Sequence, residues 1–399
     1  MSDRRVVIVG GGVIGLSTAY HLARFGGARV TLLDKGPLGD GSSIRAAGII
    51  TGLLWSEPAV LARKISLRLF REFSRELDGY RFGEVGALNL HTQQAWPQRE
   101  AVLGMYDKLG APYEVLDGRE IERRWPALRM DPSWRAIFDP LGGYSEPEQY
   151  VPALAKKVRE LGVEVREHQQ VSDLFMRGDR VAGVGTAAGN VEADVVVSTV
   201  HAWTNVLLAQ RGLAWPVKCF VHQRFVTAPL AKAVDIPAIN ADPLLGYIRP
   251  ASGGRMLAGY ETTEREEHRV SSPTFRMSET TADTAPMKED ILRTFPALVP
   301  AVKDVQWESE RVGLICFARD GEPVLGPVDA VPGLIVGCAF HSGGFAYNPV
   351  AGLLLAELAI GRKPSVDVAA LSPQRFNSDA TKKSLATTIR QKDAVRRRH

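Results

Sequence analysis

Cysteine is scarce. Cys219, Cys316 and Cys338 are the only three, they lie far apart, and none belongs to a C-x-x-C pair. Neither a disulfide framework nor a cysteine zinc site is suggested, and the thiols are expected to be reduced. Excess charge of one sign is also missing: 49 Lys and Arg against 45 Asp and Glu leave a formal +4, which does not by itself indicate a nucleic-acid partner. Long apolar runs are absent, since the most hydrophobic helical stretch, Asn348 to Ile360, falls well short of the ~20 residues that span a bilayer. No Ser-His-Asp or H-E-x-x-H arrangement stands out, which argues against hydrolase chemistry, and no metal site is expected. Internal repeats and low-complexity segments are lacking too. The first strand begins by Val6, which leaves no room for a signal peptide, so a cytoplasmic location is expected. Arg390, Lys392, Arg396, Arg397 and Arg398 give residues 377–399 the look of a basic, solvated and disordered tail.

What remains is the composition of an ordinary globular protein, 45% hydrophobic and 24% charged over 399 residues, long enough for two interleaved domains. Its most specific feature lies at the start. Val6-Val7-Ile8-Val9 reads as a strand, Gly10-Gly11-Gly12-Val13-Ile14-Gly15 as a glycine turn opening a helix, and Val30 to Leu33 as a second strand ending in Asp34. Gly10 permits the tight turn, Gly12 lets backbone approach a pyrophosphate, and Gly15 allows close packing of helix on strand. The opening helix turns its positive end and unpaired N–H groups toward the phosphates. Leu16, Ala19, Tyr20 and Ala23 give that helix an apolar face, and the Asp34 carboxylate can accept hydrogen bonds from a ribose diol.

Along the chain, helices fit Ala59 to Leu77, Gln98 to Leu109 and Pro147 to Leu161. Gly86 to Thr92 and Val163 to Val165 read as strands, and Arg180 to Ala193 as a small meander. The run Val195-Val196-Val197 suits a strand buried on both faces, and Gly333 to Ala339 is again strand-like. More than a hundred residues separate the second strand from the next parallel-type strand. That spacing favours FAD over a simple NAD domain. The expected fold is mixed α/β: a Rossmann-type FAD-binding domain (1–85, 145–215 and 312–376) with an inserted substrate-binding domain on a mainly antiparallel sheet (86–144 and 216–311).

These motifs, taken in order, resemble the D-amino-acid oxidase (DAO) family of flavoproteins, especially its glycine oxidase, sarcosine oxidase and dimethylglycine dehydrogenase branches. Carrying the resemblance are the glycine turn with Asp34; Gly41-Ser42-Ser43 followed by Arg45-Ala46-Ala47-Gly48-Ile49; Val195 to Trp203; Gly313-Leu314; Asp320 to Gly326; and Gly337 to Gly352. It implies that Gly10, Gly12, Gly15 and Asp34 hold the ADP half of FAD, helped by Val13, Ile14 and Lys35. Ser42, Ser43, Arg45, Ala46, Ala47 and Gly48 would follow the pyrophosphate and isoalloxazine, and Val171 would offer backbone to the adenine. His201, Trp203 and Gly313 complete the contacts, while Gly343, Gly344 and Phe345 would bring amides to the pyrimidine edge of the flavin. The sequence departs from the pattern at three places. Ser198-Thr199-Val200-His201 is bulkier than the usual Asn-Ala-Ala-Gly, Ile315-Cys316 stands where Arg-Pro is usual, and Leu257 occupies the position matched to an oxygen-activating lysine.

The implied activity is oxidation of a secondary amine or amino acid. Hydride passes from the substrate α-carbon to flavin N5, the imine hydrolyses, and electrons go on to oxygen or another acceptor. Tyr247 and Arg249, two apart on an expected strand, are the candidates for anchoring a substrate carboxylate. His341 and Tyr347 flank the glycine turn at the flavin edge, and His222 falls where the family places residues above the ring. Attachment of flavin through Cys316 is a minor alternative to non-covalent FAD. A 2-hydroxy acid dehydrogenase and a partner-dependent flavoprotein subunit are the competing functions.

Overall fold

Five mutually parallel strands organise one half of the fold. The computed structural model describes residues 4–394. Its six-stranded sheet runs, edge to edge, Val324–Pro327, Leu334–Cys338, Val195–Ser198, Arg4–Val9, Ala28–Leu33 and Glu164–Arg166, and only the first strand is antiparallel to its neighbour. The central strands are apolar on both faces because both are covered: Val6, Ile8, Leu32 and Val197 pack against helices on one side, and Val7, Val9, Leu33 and Val196 join a separate cluster on the other. Helix Val13–Phe25 lies against helix Gly344–Ala359, which in turn touches helix Glu57–Glu76. Being sandwiched, the 344–359 helix is buried nearly all round, from Phe345 to Ala359.

The second half is an eight-stranded sheet built from Trp307–Ala318, Val217–Thr227, Arg255–Tyr260, Gly246–Ala251, Ala238–Ala241, Ala87–His91, Arg135–Asp139 and Glu114–Leu116, in that order. All its pairings are antiparallel except that of 238–241 with 87–91. Strand Trp307–Ala318 belongs wholly to this sheet and so crosses the domain boundary expected at 311/312. The three-stranded meander, Val171–Arg177, Arg180–Thr186 and Gly189–Glu192, stands apart. Among the described residues no helix is long and apolar enough to cross a membrane, and no cluster of metal-ligating side chains occurs.

Four local expectations need correction. The helix expected from Gln98 to Leu109 is two short pieces, Trp96–Glu100 and Leu103–Leu109, because amides of Val102 and Met105 bond three residues back and tighten the chain there. The helix expected from Asn348 begins earlier, at Gly344. Cys219 and Cys316 are paired: they are register partners on neighbouring antiparallel strands, with Cα atoms 4.1 Å apart and sulfurs in bonding contact. Their sequence separation of 97 hides this, because only the register of the sheet brings them together. The tail is structured as far as the description reaches. Helix Ser378–Ala386, capped by Asn377, leads into a ladder in which Arg390 and Lys392 both reach Glu264; Arg396, Arg397 and Arg398 lie outside the described residues.

Candidate active site

The carboxyl ends of the five parallel strands open on one cavity of about 660 Å³. Gly10 and Gly12 follow the first strand, Asp34 and Lys35 the second, Gln169 to Val171 the third in sequence, Thr199 to His201 the fourth, and Phe340 to Ser342 the fifth, and all line it. Ligands of open α/β sheets bind at this edge because the loops there are free to diverge.

The glycine turn is tightly determined. Gly10 has φ +103°, and a Cβ there would stand 2.9 Å from Thr199 O. Thr199 Oγ1 donates within 3.0 Å of Val9 O and 2.9 Å of Gly10 O, so part of the bulky run after the fourth strand serves to buttress the turn. Gly15 does not line the cavity; a Cβ there would lie 1.9 Å from Gly10 O, so its role is close packing of helix on turn. Asp34 Oδ2 accepts from Gly11 N at 2.7 Å and Oδ1 from Gly36 N at 2.8 Å. Burial raises the Asp34 carboxyl above the ordinary range, opposed by those two N–H donors and by Lys35. Ser43 Oγ accepts from Val13 N at 3.0 Å, and Ser42 Oγ donates to Leu314 O at 2.7 Å, which ties this loop to the eight-stranded sheet.

The segment that follows strand Arg255–Tyr260 roofs the Asp34 end. Lys35 Nζ lies 3.9 Å over the Trp203 ring and donates to Pro273 O and Phe275 O. Burial lowers the Lys35 ammonium to about 8. Pro273, Thr274, Arg276 and Met277 therefore line the cavity, a contribution that no local sequence signal announced.

At the far end stand His222, Asn240, Asp242, Tyr247, Glu261, Phe317, His341 and Gln391. His222 Nε2 is 3.2 Å from the Tyr247 hydroxyl, which donates to Gln223 O at 3.2 Å. Burial raises the Tyr247 phenol above its ordinary value, and Glu261 adds to the rise while Arg224 opposes it. His201 and His341 both adopt positive φ, +47° and +44°, at the starts of short turns that end parallel strands. Side chains rarely take this conformation outside constrained sites. His341 Nδ1 accepts from Gly343 N at 3.1 Å, which leaves the ring proton on Nε2. His201 Nε2 meets Leu314 O at 3.1 Å, and burial lowers its basicity.

Most residues singled out from the sequence converge here: Val13, Ile14, Arg45, Ala46, Ala47, Gly48, Val171, His201, Trp203, Gly313, Gly344 and Phe345 all line the cavity. Besides Gly15, five of the others do not line it. Arg249 shares its strand with Tyr247, yet its buried guanidinium donates to Ala47 O at 2.6 Å and Pro250 O at 2.7 Å and pairs with Glu146 at 3.4 Å. It supports the loop behind the cavity and does not line the chamber. Tyr347 lies behind His341, edge-on at 5.6 Å, with the Arg63 guanidinium over its ring. Gly343 accepts from Arg63 and is also outside the lining. Leu257 is buried in the sheet beside Val226 and Arg249 and does not line the cavity. The Cys316 sulfur faces Cys219, leaving it unsuited to flavin attachment.

Two buried histidines make stability sensitive to acid. Burial lowers His21 to about 4 and His91 to about 3, below the unfolded value near ~6.5. The unfolded chain binds more protons below that value, so the stability these rings contribute is complete above it and is lost as pH falls toward 4. Urea unfolding at neutral pH and at pH 5 should show this loss. His21→Gln, which keeps a donor for Pro349 O, is expected to make the loss smaller.

Residues 5–358 match the family model described as DAO, FAD dependent oxidoreductase, and the chain belongs to that family. It is 28% identical over 382 residues to 4-methylaminobutanoate oxidase (formaldehyde-forming) of Paenarthrobacter nicotinovorans, covering 94% of this chain but only 46% of that protein. Against sarcosine oxidase subunit beta of an Arthrobacter species, identity is 28% over 386 residues, covering 94% of this chain and 91% of the relative. Glycine oxidase from Geobacillus kaustophilus superposes with a TM-score of 0.80 at 25% identity, over 94% of this chain and all of that one (100%). The chain thus spans less than half the length of 4-methylaminobutanoate oxidase.

Proposed function

We propose that this chain oxidises a secondary amine or amino acid at a C–N bond. The observation that carries the reading is the continuity of the cavity from the glycine turn to the chamber of His222, Tyr247, Glu261 and His341. The donor set suits FAD. Gly12, Val13 and Ser43 at a helix N-terminus would hold the pyrophosphate, and the Asp34 carboxylate oxygens, with one backbone donor each, keep lone pairs for ribose hydroxyls. Gly344 and Phe345, opening the buried 344–359 helix, would favour negative charge at the far edge. Bound there, FAD would supply the two-electron acceptor that oxidation of the amine to a hydrolysable imine requires.

The protein's part is to position and desolvate the amine. Asp242 and Glu261 favour an ammonium on arrival, and hydride departure then requires the neutral amine. His222 and the Tyr247 hydroxyl, 3.2 Å apart, line the chamber where that proton leaves. No lining arginine comes from the strand that carries Tyr247; Arg45 and Arg276, from other segments, are the arginines that line the cavity. Electrons leave to oxygen or to an accepting partner. Anaerobic mixing with sarcosine, dimethylglycine, proline and N-methylated amines without a carboxylate tests the reading, followed by admission of air. Bleaching of the flavin band by at least one amine is expected; bleaching by hydroxy acids alone would overturn it. Tyr247→Phe should raise the half-saturating amine concentration about tenfold, the equivalent of one hydrogen bond, with FAD content unchanged.

A further inference from the structure

One wall of the far chamber comes from a segment more than a hundred residues from the elements it joins. Residues 387–393 run beside 262–268: Ile389 O accepts from Glu267 N at 3.0 Å, Gln391 N donates to Arg265 O at 2.7 Å, and Lys392 N donates to Thr263 O at 2.8 Å. Lys218 Nζ, itself buried, donates to Thr387 O at 2.6 Å. Glu264 then receives Arg390 at 2.8 Å and Lys392 at 3.0 Å across the surface. This clasp turns Gln391 inward. The glutamine is 2% exposed, accepts from Thr262 Oγ1 at 3.2 Å through Oε1, and lines the cavity together with Glu261 and Tyr247. Its primary amide offers a donor and an acceptor, so it can receive an amine N–H or donate to a carboxylate.

We propose that Gln391 is a substrate-positioning residue, held at the chamber by the 387–393 clasp, and that the clasp loosens to admit substrate. The substrate class rests on the amine-oxidising reading above; the clasp does not. Its outer fastening, the Glu264 pairs, is half exposed, so salt screens it and opening is easy. The backbone ladder beneath restores register on closure.

The test uses the FAD-loaded protein, with sarcosine as the reducing probe under anaerobic conditions and iodide as a quencher of flavin fluorescence. Glu264→Lys should raise iodide quenching and raise the half-saturating sarcosine concentration about tenfold, with the limiting rate of flavin reduction within about twofold of wild type. The charge-swapped triple variant Glu264→Lys/Arg390→Glu/Lys392→Glu should restore both. Gln391→Ala should raise half-saturation alone, with iodide quenching as in wild type, which separates the side chain from the clasp. Unchanged half-saturation in Gln391→Ala overturns the positioning role, and unchanged quenching in Glu264→Lys overturns the clasp. Should sarcosine fail to bleach the wild-type flavin, it is no substrate, and iodide quenching with and without the charge swap still decides the clasp.

Discussion

Gly12→Val should give a folded, colourless protein. Gly12 has ordinary backbone angles, φ −71° and ψ 176°, and the nearest atom to an added Cβ is Ser43 Oγ at 3.1 Å, which can rotate away. The fold therefore tolerates the side chain, but the valine methyls fill the space where backbone must approach the pyrophosphate. Gly15→Val provides the contrast, since its Cβ would sit 1.9 Å from Gly10 O and neither backbone can yield. Expression, circular dichroism and flavin content separate the two: Gly12→Val folded without FAD, Gly15→Val not folded. A yellow, fully loaded Gly12→Val protein would contradict placement of the diphosphate at this turn.

The second large effect concerns Arg249. Its substitution by alanine should act on stability, not on substrate affinity alone. The guanidinium is 1% exposed and ties together Ala47 O, Pro250 O and Glu146, which also receives Ser252 N at 2.8 Å. Removing it leaves a buried carboxylate short of its cation, a loss of about 3–5 kcal/mol in such pairs. For a chain of this size that is a fall in Tm of roughly 5 °C. FAD retention should suffer as well, because Ala47 lines the cavity. Arg249→Lys should rescue little, since one ammonium cannot reach all three acceptors in the guanidinium's geometry. Calorimetry with flavin quantification checks this; unchanged Tm and full FAD with a raised KM would put the guanidinium in the substrate chamber.

The contrast between Tyr247 and Arg249 shows where the sequence stops being informative. Strand alternation correctly puts both on one strand at two-residue spacing, but which of them reaches the cavity depends on where the strand crosses it, a tertiary matter. The glycine turn, Asp34 and the strand ends were readable because each depends on neighbours within a few residues and on a fixed strand–turn–helix geometry. Asp242, Glu261 and the roof at 273–277 come from loops whose positions follow from the register of the eight-stranded sheet, and they carry no motif. Gln391 was hidden by composition: its basic surroundings look like solvated tail until Glu264 is seen opposite. Cys219 and Cys316 teach the same lesson, since spacing rules detect local cysteine motifs and miss partners set by register. Thr199 works in the other direction. Bulk that departed from the family pattern turns out to fasten the Gly10 turn through its hydroxyl.

The most direct measurement is titration of flavin-stripped protein with FAD, followed by absorbance and fluorescence. Saturation at one FAD per chain, abolished by Gly12→Val, is the expected result. A wild-type chain that stays colourless at excess FAD would contradict the central claim that this cavity is a flavin site.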